Sequence, residues 1–167
     1  MKLLELSYRN IISYGNVMQT FKFGDEPRLI LVQGENGAGK SSIKEAITVS
    51  IYGRSAIRAM KDIPNWINKN AYTRIKFITN SGELVDIERG IAPNFSNIEI
   101  DGVPFNLPDK RKVDEFIEDD LARIPFSVFS NTISLSFDDF KSFVNLNRVD
   151  KEKIVDRIFG IDILSKM

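Results

Sequence analysis

The sequence contains no cysteine and no histidine. The first absence removes disulfides, thiolate metal sites and cysteine nucleophiles. The second removes imidazole general-base chemistry and most zinc sites. A charge imbalance is lacking too, since 23 Lys and Arg stand against 23 Asp and Glu. Net charge therefore gives no argument for a nucleic-acid or membrane partner, and any DNA contact has to come from a local patch or a larger assembly. Long apolar runs are also missing. The opening stretch Met1–Leu6 breaks at Glu5, too short and too charged for a signal peptide, and nothing approaches a membrane span. A cytoplasmic location with no membrane partner is the expectation. What is present is 167 residues, 43% apolar and 28% charged, which suits about one globular domain with its own core.

The first thirty residues read as strands. Lys2–Tyr8 is followed by a polar turn with Asn10, Ser13 and Gly15, and Val17–Phe23 alternates as the return arm of a hairpin. After the break at Gly24-Asp25-Glu26-Pro27 comes Leu29-Ile30-Leu31-Val32, a continuous β-favouring run of the kind buried on both faces in a parallel sheet. Beyond the Gly-rich loop, Ile43, Ala46, Ile47, Ser50 and Ile51 fall on one helical stripe, with Gly53 at the C-terminal cap position. Arg54–Asn70 is basic and irregular. Two hairpins are expected next: Tyr72–Thr79 with Leu84–Glu88 around Asn80-Ser81-Gly82, and Ile98–Phe105 around Asp101-Gly102. Their alternation predicts an antiparallel layer with one wet face. A helix over Arg111–Arg123 would turn Val113, Phe116, Ile117 and Leu121 inward, and another would run over Asp150–Phe159 up to Gly160. Pro125–Val144, rich in Phe and Ser, fits neither period.

The sharpest motif is Gly34-Glu35-Asn36-Gly37-Ala38-Gly39-Lys40-Ser41, which satisfies G-x-x-x-x-G-K-[ST] in full. Each residue type has a chemical reason. The glycines let the backbone take conformations closed to other residues and come close to a phosphate. Successive N–H groups of the loop and the helix start can then address one anion, aided by the helix dipole. Lys40 brings a positive charge to the β- and γ-phosphates, where charge shifts in phosphoryl transfer, and is the candidate catalytic residue. Ser41 offers a hydroxyl to Mg²⁺, a hard cation that prefers oxygen. By average composition such a pattern occurs by chance in a chain this long on the order of once in a hundred. ATP with Mg²⁺ is the expected ligand. Hydrolysis also needs a carboxylate at the end of a neighbouring apolar strand. The nearest candidate is Asp138, after the serine-interrupted run Ile133–Phe137, and it is a poor fit.

The stretch Gly34–Ile47, with Tyr52-Gly53 beyond it, resembles the first motif of the SMC-like branch of ABC ATPases. Within that branch it is similar to the ATPase subunit of the double-strand-break repair nuclease complex, including the bacterial SbcC type and the large exonuclease subunit of T-even-like phages. Tyr8–Gly15, an Asn followed three residues later by Ser, resembles the family's opening turn. Phe140–Val144 and the helix after it resemble the stretch from the Q-loop to the coiled-coil root. The resemblance implies an α/β P-loop NTPase fold: an ABC-type head N-terminal lobe over residues 1–160, with a mixed sheet and an antiparallel β layer. Residues 161–167 would begin a coiled-coil helix. It implies a second lobe that supplies the signature motif, the acidic strand and a switch histidine, which accounts for the absence of both carboxylate and histidine here. The completed head would be an ATPase that forms a homodimer on ATP. The partners it implies are a nuclease subunit of the metallophosphoesterase type and, through the assembled complex, DNA; a phage-encoded member would work in the host cytoplasm.

The same resemblance assigns residues. Gly34, Asn36, Gly37, Ala38, Gly39, Lys40, Ser41 and Ser42 would hold the triphosphate, Ser42 at the α-phosphate. Asn10 and Ser13 either approach the nucleotide or serve the turn. Asn36 faces either a second head or solvent. Two departures stand out: the family's usual Arg is Ile12 here, and the Q-loop glutamine is missing. Asn131 is the closest chemical substitute as a second Mg²⁺ ligand beside Ser41, with Ser134, Ser136 and Asp138 as polar neighbours. Arg54, Arg58, Lys61 and Lys69 form either a DNA- or partner-facing patch or a solvated loop. Lys110-Arg111-Lys112 reads as a charged helix start, and Trp66 as either a packing anchor or a partner contact. Two rival readings differ in kind: a self-contained P-loop NTPase or kinase that holds Mg²⁺ with Asp138, and a non-catalytic module in which nucleotide only stabilises the fold.

Overall fold

Alternation and tight turns build most of the chain. The computed structural model describes residues 1–24, 26, 29–105, 110–134, 148 and 151, and it divides the chain into two units, Met1–Arg123 and Ile124–Met167. In the first unit β1 (Lys2–Arg9), β2 (Gln19–Lys22), β3 (Ala71–Ile78), β4 (Leu84–Ile91), β5 (Phe95–Ile100) and β6 (Val103–Phe105) form one sheet. Its order is β2-β1-β3-β4-β5-β6, and every neighbouring pair is antiparallel. The expected hairpins are all present. Asp101 and Gly102 both take positive φ, 52° and 76°, the conformation that a two-residue hairpin turn requires.

Period two decides which face is wet. Leu6, Ile75, Ile87 and Ile98 stand opposite one another across four strands and are buried, with Phe77 and Val85 in the next row. The other face carries Arg74 opposite Glu88 and Lys76 opposite Asp86. Arg74 holds Asp86 at 2.6 Å and Glu88 at 3.5 Å, and Lys76 reaches Asp86 at 3.4 Å. Cross-strand charge pairs of this kind contribute roughly 0.2–1 kcal/mol each, so they fix register more than they fix stability.

Helix α1 (Lys40–Tyr52) packs on the apolar face against β1, β3 and β4. Gly53 ends it in the left-handed conformation, φ 63°, and its N–H returns to the Val49 carbonyl as a C-terminal glycine should. The buried stripe is wider than the sequence suggests. Ser42, Glu45, Thr48, Val49 and Tyr52 are buried with Ala46, Ser50 and Ile51, whereas Ile43 and Ile47 are only half-buried. Two of the hydroxyls are satisfied inside the helix: Thr48 donates to the Lys44 carbonyl at 2.9 Å and Ser50 to that of Ala46 at 2.6 Å.

Helix α2 (Lys110–Phe116) continues into a wider π-type turn, Ile117–Ala122, with Val113, Ile117 and Leu121 inward as expected and Phe116 stacked on Phe105 at 4.6 Å. Between α1 and β3 the chain is irregular apart from one 3₁₀ turn, Met60–Asp62. In the second unit Pro125 precedes a short helical turn, Phe126–Val128, followed by a π-type turn, Phe129–Ile133, so Ile133 does not start a strand.

One expected element is missing. Leu29–Val32 is not a strand: it pairs with nothing among the described residues, Leu29 is 97% exposed, and the other three are exposed as well. A β-favouring run becomes a buried strand only when neighbours supply a ladder and a cover, and no described residue does so. The expectations for Ser136, Asp138, Phe140–Val144, Asp150–Gly160 and residues 161–167 lie outside the described residues.

Candidate nucleotide site

Three short segments meet at the start of α1. The Gly34–Ser41 loop runs in from the exposed Leu29–Gln33 stretch and turns through Asn36–Gly39. Gly37 and Gly39 take φ values of 87° and 92°, and Gly39 is the N-cap of α1. Such backbone is strained for any residue with a Cβ, which is why the pattern needs glycine at Gly39; Gly37, at a free position of the pattern, meets the same demand. The turn closes on itself through Ala38 N–H to the Glu35 carbonyl at 3.2 Å, and Ser42 N–H to that of Gly39 at 3.0 Å. The N–H groups of Asn36, Gly37, Gly39, Lys40 and Ser41 have no acceptor among the described residues. Five unclaimed donors within six residues, at the positive end of a helix, form an anion-binding nest.

Lys40 folds back on the start of the loop. Its Nζ donates to the carbonyls of Gly34 and Glu35, both at 2.7 Å, which uses two of its three donors and leaves one for an incoming group. Ser41 is exposed in the first turn of α1, where its hydroxyl is accessible to a cation. Ser42 is buried, and its hydroxyl lies 3.2 Å from that of Ser13.

The opening turn forms the wall of the loop. A Cβ on Gly39 would come within 2.7 Å of the Tyr14 ring and 3.0 Å of the Ser13 hydroxyl, so these two side chains rest directly on the glycine backbone. Tyr14 meets Tyr8 edge to face at 4.9 Å, and burial together with the Tyr14 contact raises the Tyr8 phenol well above its ordinary pKa. Asn10 holds the turn itself. It is 1% exposed with φ 55°, its N–H bonds the Gly15 carbonyl, and its side-chain amide donates to Asn16 and Asn70. Asn65 locks the same turn from the far side: its N–H donates to the Asn10 carbonyl at 2.7 Å and its Nδ2 to the Ile12 carbonyl at 3.0 Å. Ile12, at the family's arginine position, has φ 50° and donates its N–H to the Ile63 carbonyl. Asn131 lies in the Phe129–Ile133 turn, and its side chain is outside the described residues.

Arg89 holds the other end of α1. This arginine on β4 is 4% exposed, donates Nε to the Ser50 carbonyl at 2.9 Å and Nη2 to that of Ile51 at 3.1 Å, and pairs with Asp114 at 2.7 Å. It thus places a cation at the negative end of the helix whose positive end faces the nest. Burial lowers its pKa and Asp114 opposes that shift. Gly53 makes room for it, since a Cβ there would lie 2.5 Å from the guanidinium. Arg89 was not singled out from the sequence, although its parity was legible: it shares the inward register of Val85 and Ile87.

A nest of unclaimed amides with a lysine from the same loop, at the N-terminus of a helix packed on a sheet, is the local geometry of a P-loop NTPase. Comparison with known proteins agrees: the AAA domain family model matches residues 5–164. The chain belongs to the AAA domain family. Within it the chain is of the SMC-like ABC ATPase type, with the fold of the head's N-terminal lobe. It is 25% identical over 167 residues to exonuclease subunit 2 of Enterobacteria phage T4, covering 99% of this chain and 30% of that protein. It is 26% identical over 171 residues to the DNA double-strand break repair Rad50 ATPase of Methanocaldococcus jannaschii, covering 99% of this chain and 16% of that one. The Smc head domain of Pyrococcus furiosus, solved with an extended coiled coil and bound to the C-terminal domain of ScpA, superposes with a TM-score of 0.69. That match has 20% identity and covers 99% of this chain and 43% of that chain. This AAA domain chain therefore spans less than a third of the length of those two relatives.

Proposed function

We propose that this chain is the nucleotide-binding lobe of a DNA repair or recombination ATPase and that Gly34–Ser41 binds ATP with Mg²⁺. The observation that carries the reading is the set of N–H groups at Asn36, Gly37, Gly39, Lys40 and Ser41 with no acceptor among the described residues, with the Lys40 ammonium bonded to the carbonyls of the same loop at Gly34 and Glu35. The donor set fits a triphosphate and its cation: amides and an ammonium for phosphate oxygens, the Ser41 hydroxyl for a hard metal ion. Ser42 and Ser13, 3.2 Å apart, supply the hydroxyls nearest the helix start. Asn131 is kept as the candidate second Mg²⁺ ligand on the family resemblance alone.

The described residues furnish no cluster of three or more His, Cys, Asp or Glu able to hold a metal. In this reading turnover draws on groups from a second lobe, and the completed head acts as an ATPase that dimerises on ATP. The exposed Leu29–Val32 run leading into the loop supports this: four apolar residues whose backbone has no ladder partner among the described residues are suited to a sheet finished by further strands. The names of the relatives, an exonuclease subunit and a double-strand break repair ATPase, support a partner nuclease subunit and broken DNA as the target, and the family resemblance makes that nuclease one of the metallophosphoesterase type. ATP binding at Gly34–Ser41 would then regulate that nuclease.

Lys40→Ala in the full-length protein tests the assignment by calorimetric titration with ATP and Mg²⁺. A charge-assisted hydrogen bond contributes roughly 1.5–3 kcal/mol, so affinity should fall by at least tenfold with the thermal melt unchanged. Wild-type affinity in that variant would reject the site.

A further inference from the structure

A cleft of about 690 Å³ lies in the first unit between the Met60–Lys69 segment and the end of β4 with the start of β5. Trp66, Phe95, Lys61, Lys69, Asn65 and Asn94 are among the residues that line it. Trp66 is not the packing anchor that composition suggests. It is 81% exposed, and Ile67 beside it is exposed as well.

This exposure is not looseness of the turn. Asn65 is buried, its side-chain carbonyl accepts the N–H groups of Ile67 at 3.0 Å and Asn68 at 3.3 Å, and its backbone carbonyl accepts that of Lys69 at 2.7 Å. Its own N–H and amide are bonded to Asn10 and Ile12. The turn is thus fixed in a form that presents an indole to water, at a cost in hydration that a bound group would recover.

The chemistry around the indole selects the group. Lys61 and Lys69 are exposed and have no ion-pair partner among the described residues, against one acidic residue in the lining, Asp62. Arg89, also in the lining, is engaged with Asp114. Asn94 is exposed and offers an amide able to read polar edges. A flat aromatic platform beside two ammonium groups without ion-pair partners among the described residues matches a nucleobase with its phosphates. Bases in a duplex are stacked on one another, so the partner must present an unstacked base.

We propose that this cleft is a binding subsite for single-stranded nucleic acid, with Trp66 stacking on a base and Lys61 and Lys69 contacting the adjacent phosphates. The inference rests on the reading of the protein as a DNA-processing ATPase and adds a strand-binding site apart from the phosphate loop.

The test is the affinity of the full-length protein for fluorescein-labelled dT12, measured by anisotropy across a salt series. Trp66→Ala should weaken binding at least fivefold and Trp66→Phe should retain most of it. Lys61→Ala with Lys69→Ala should lower the salt slope by about 1.4, two phosphates at roughly 0.7 each. ATP affinity and the thermal melt should not move in any of these variants. Wild-type affinity for dT12 in Trp66→Ala would overturn the proposal, as would a lowered melt that marks Trp66 as a packing residue in the whole protein. Weakened association with the nuclease subunit at unchanged dT12 affinity would also overturn it, assigning the cleft to a protein. If the wild-type protein ignored dT12 while still binding ATP, the strand-binding proposal would fall and the nucleotide-site reading would stand; failure to bind duplex ends as well would take the DNA-processing reading with it.

Discussion

Replacing Arg89 by Met tests the idea that the far end of α1 is held by one buried cation. Methionine keeps the length and apolar stem but removes every donor. The carbonyls of Ser50 and Ile51 would lose bonds of 2.9 and 3.1 Å, and Asp114 would lose its 2.7 Å partner. Removing one member of a buried pair costs about 3–5 kcal/mol. Asp114 retains 30% exposure, so water can partly rescue it, and the lower end of that range is expected. With a shift of about 2–4 °C per kcal/mol for a domain of this size, the melt should fall by roughly 6–12 °C. The assay is urea and thermal denaturation of Arg89→Met, Asp114→Asn and the double variant. The two single losses should fall short of adding, since both delete the same pair. A change below about 1 kcal/mol in Arg89→Met would refute the reasoning.

Two further perturbations follow from the loop and the phenols. Gly39→Ala should abolish nucleotide binding and destabilise the fold, since its Cβ would overlap the Tyr14 ring at 2.7 Å on a backbone of φ 92°. Gly37→Ala, at φ 87° with nothing within 4 Å, should carry only the backbone strain of about 1–3 kcal/mol, so equal losses in the two variants by calorimetry and thermal melt would exclude the steric contact. Burial raises the phenols of Tyr8 and Tyr52, and burial with the bond to Glu88 pushes Tyr72 up to about 12. The folded protein keeps those protons above pH 10 while the unfolded chain releases them, so this stabilisation is complete below pH 10 and declines as pH rises towards 12. Thermal melts in a pH series should show that decline, and a melt that rose between pH 10 and 11 would contradict it.

What the sequence made legible was local. Hairpins at Asn80–Gly82 and Asp101-Gly102, the Gly53 cap and the Gly34–Ser41 loop each rest on a few residues whose conformational demands are written in their side chains. The misread parts depend on residues distant in sequence. Leu29–Val32 has the composition of a buried strand but no described neighbour, so its character is unrealised here. The anchor reading of Trp66 rests on tryptophan being large and apolar, yet Asn65 fixes the turn that points it outward. The bonds that hold Asn10 in its turn were not legible either, since two of them come from residues distant in sequence: Asn70 at its side chain and Asn65 at its carbonyl, beside the local bond to Asn16. The stripe of α1 was drawn around Ile43 and Ile47, whereas helix burial on a twisted sheet also covers Glu45, Val49 and Tyr52.

The measurement that bears most directly on the account is hydrogen–deuterium exchange of the peptide spanning residues 34–42 in the full-length protein, with and without ATP and Mg²⁺. The amides of Asn36, Gly37, Gly39, Lys40 and Ser41 lack acceptors, so they should exchange rapidly in the free protein and slow markedly when nucleotide is bound. Protection appearing elsewhere while this peptide exchanges at its unliganded rate would contradict it.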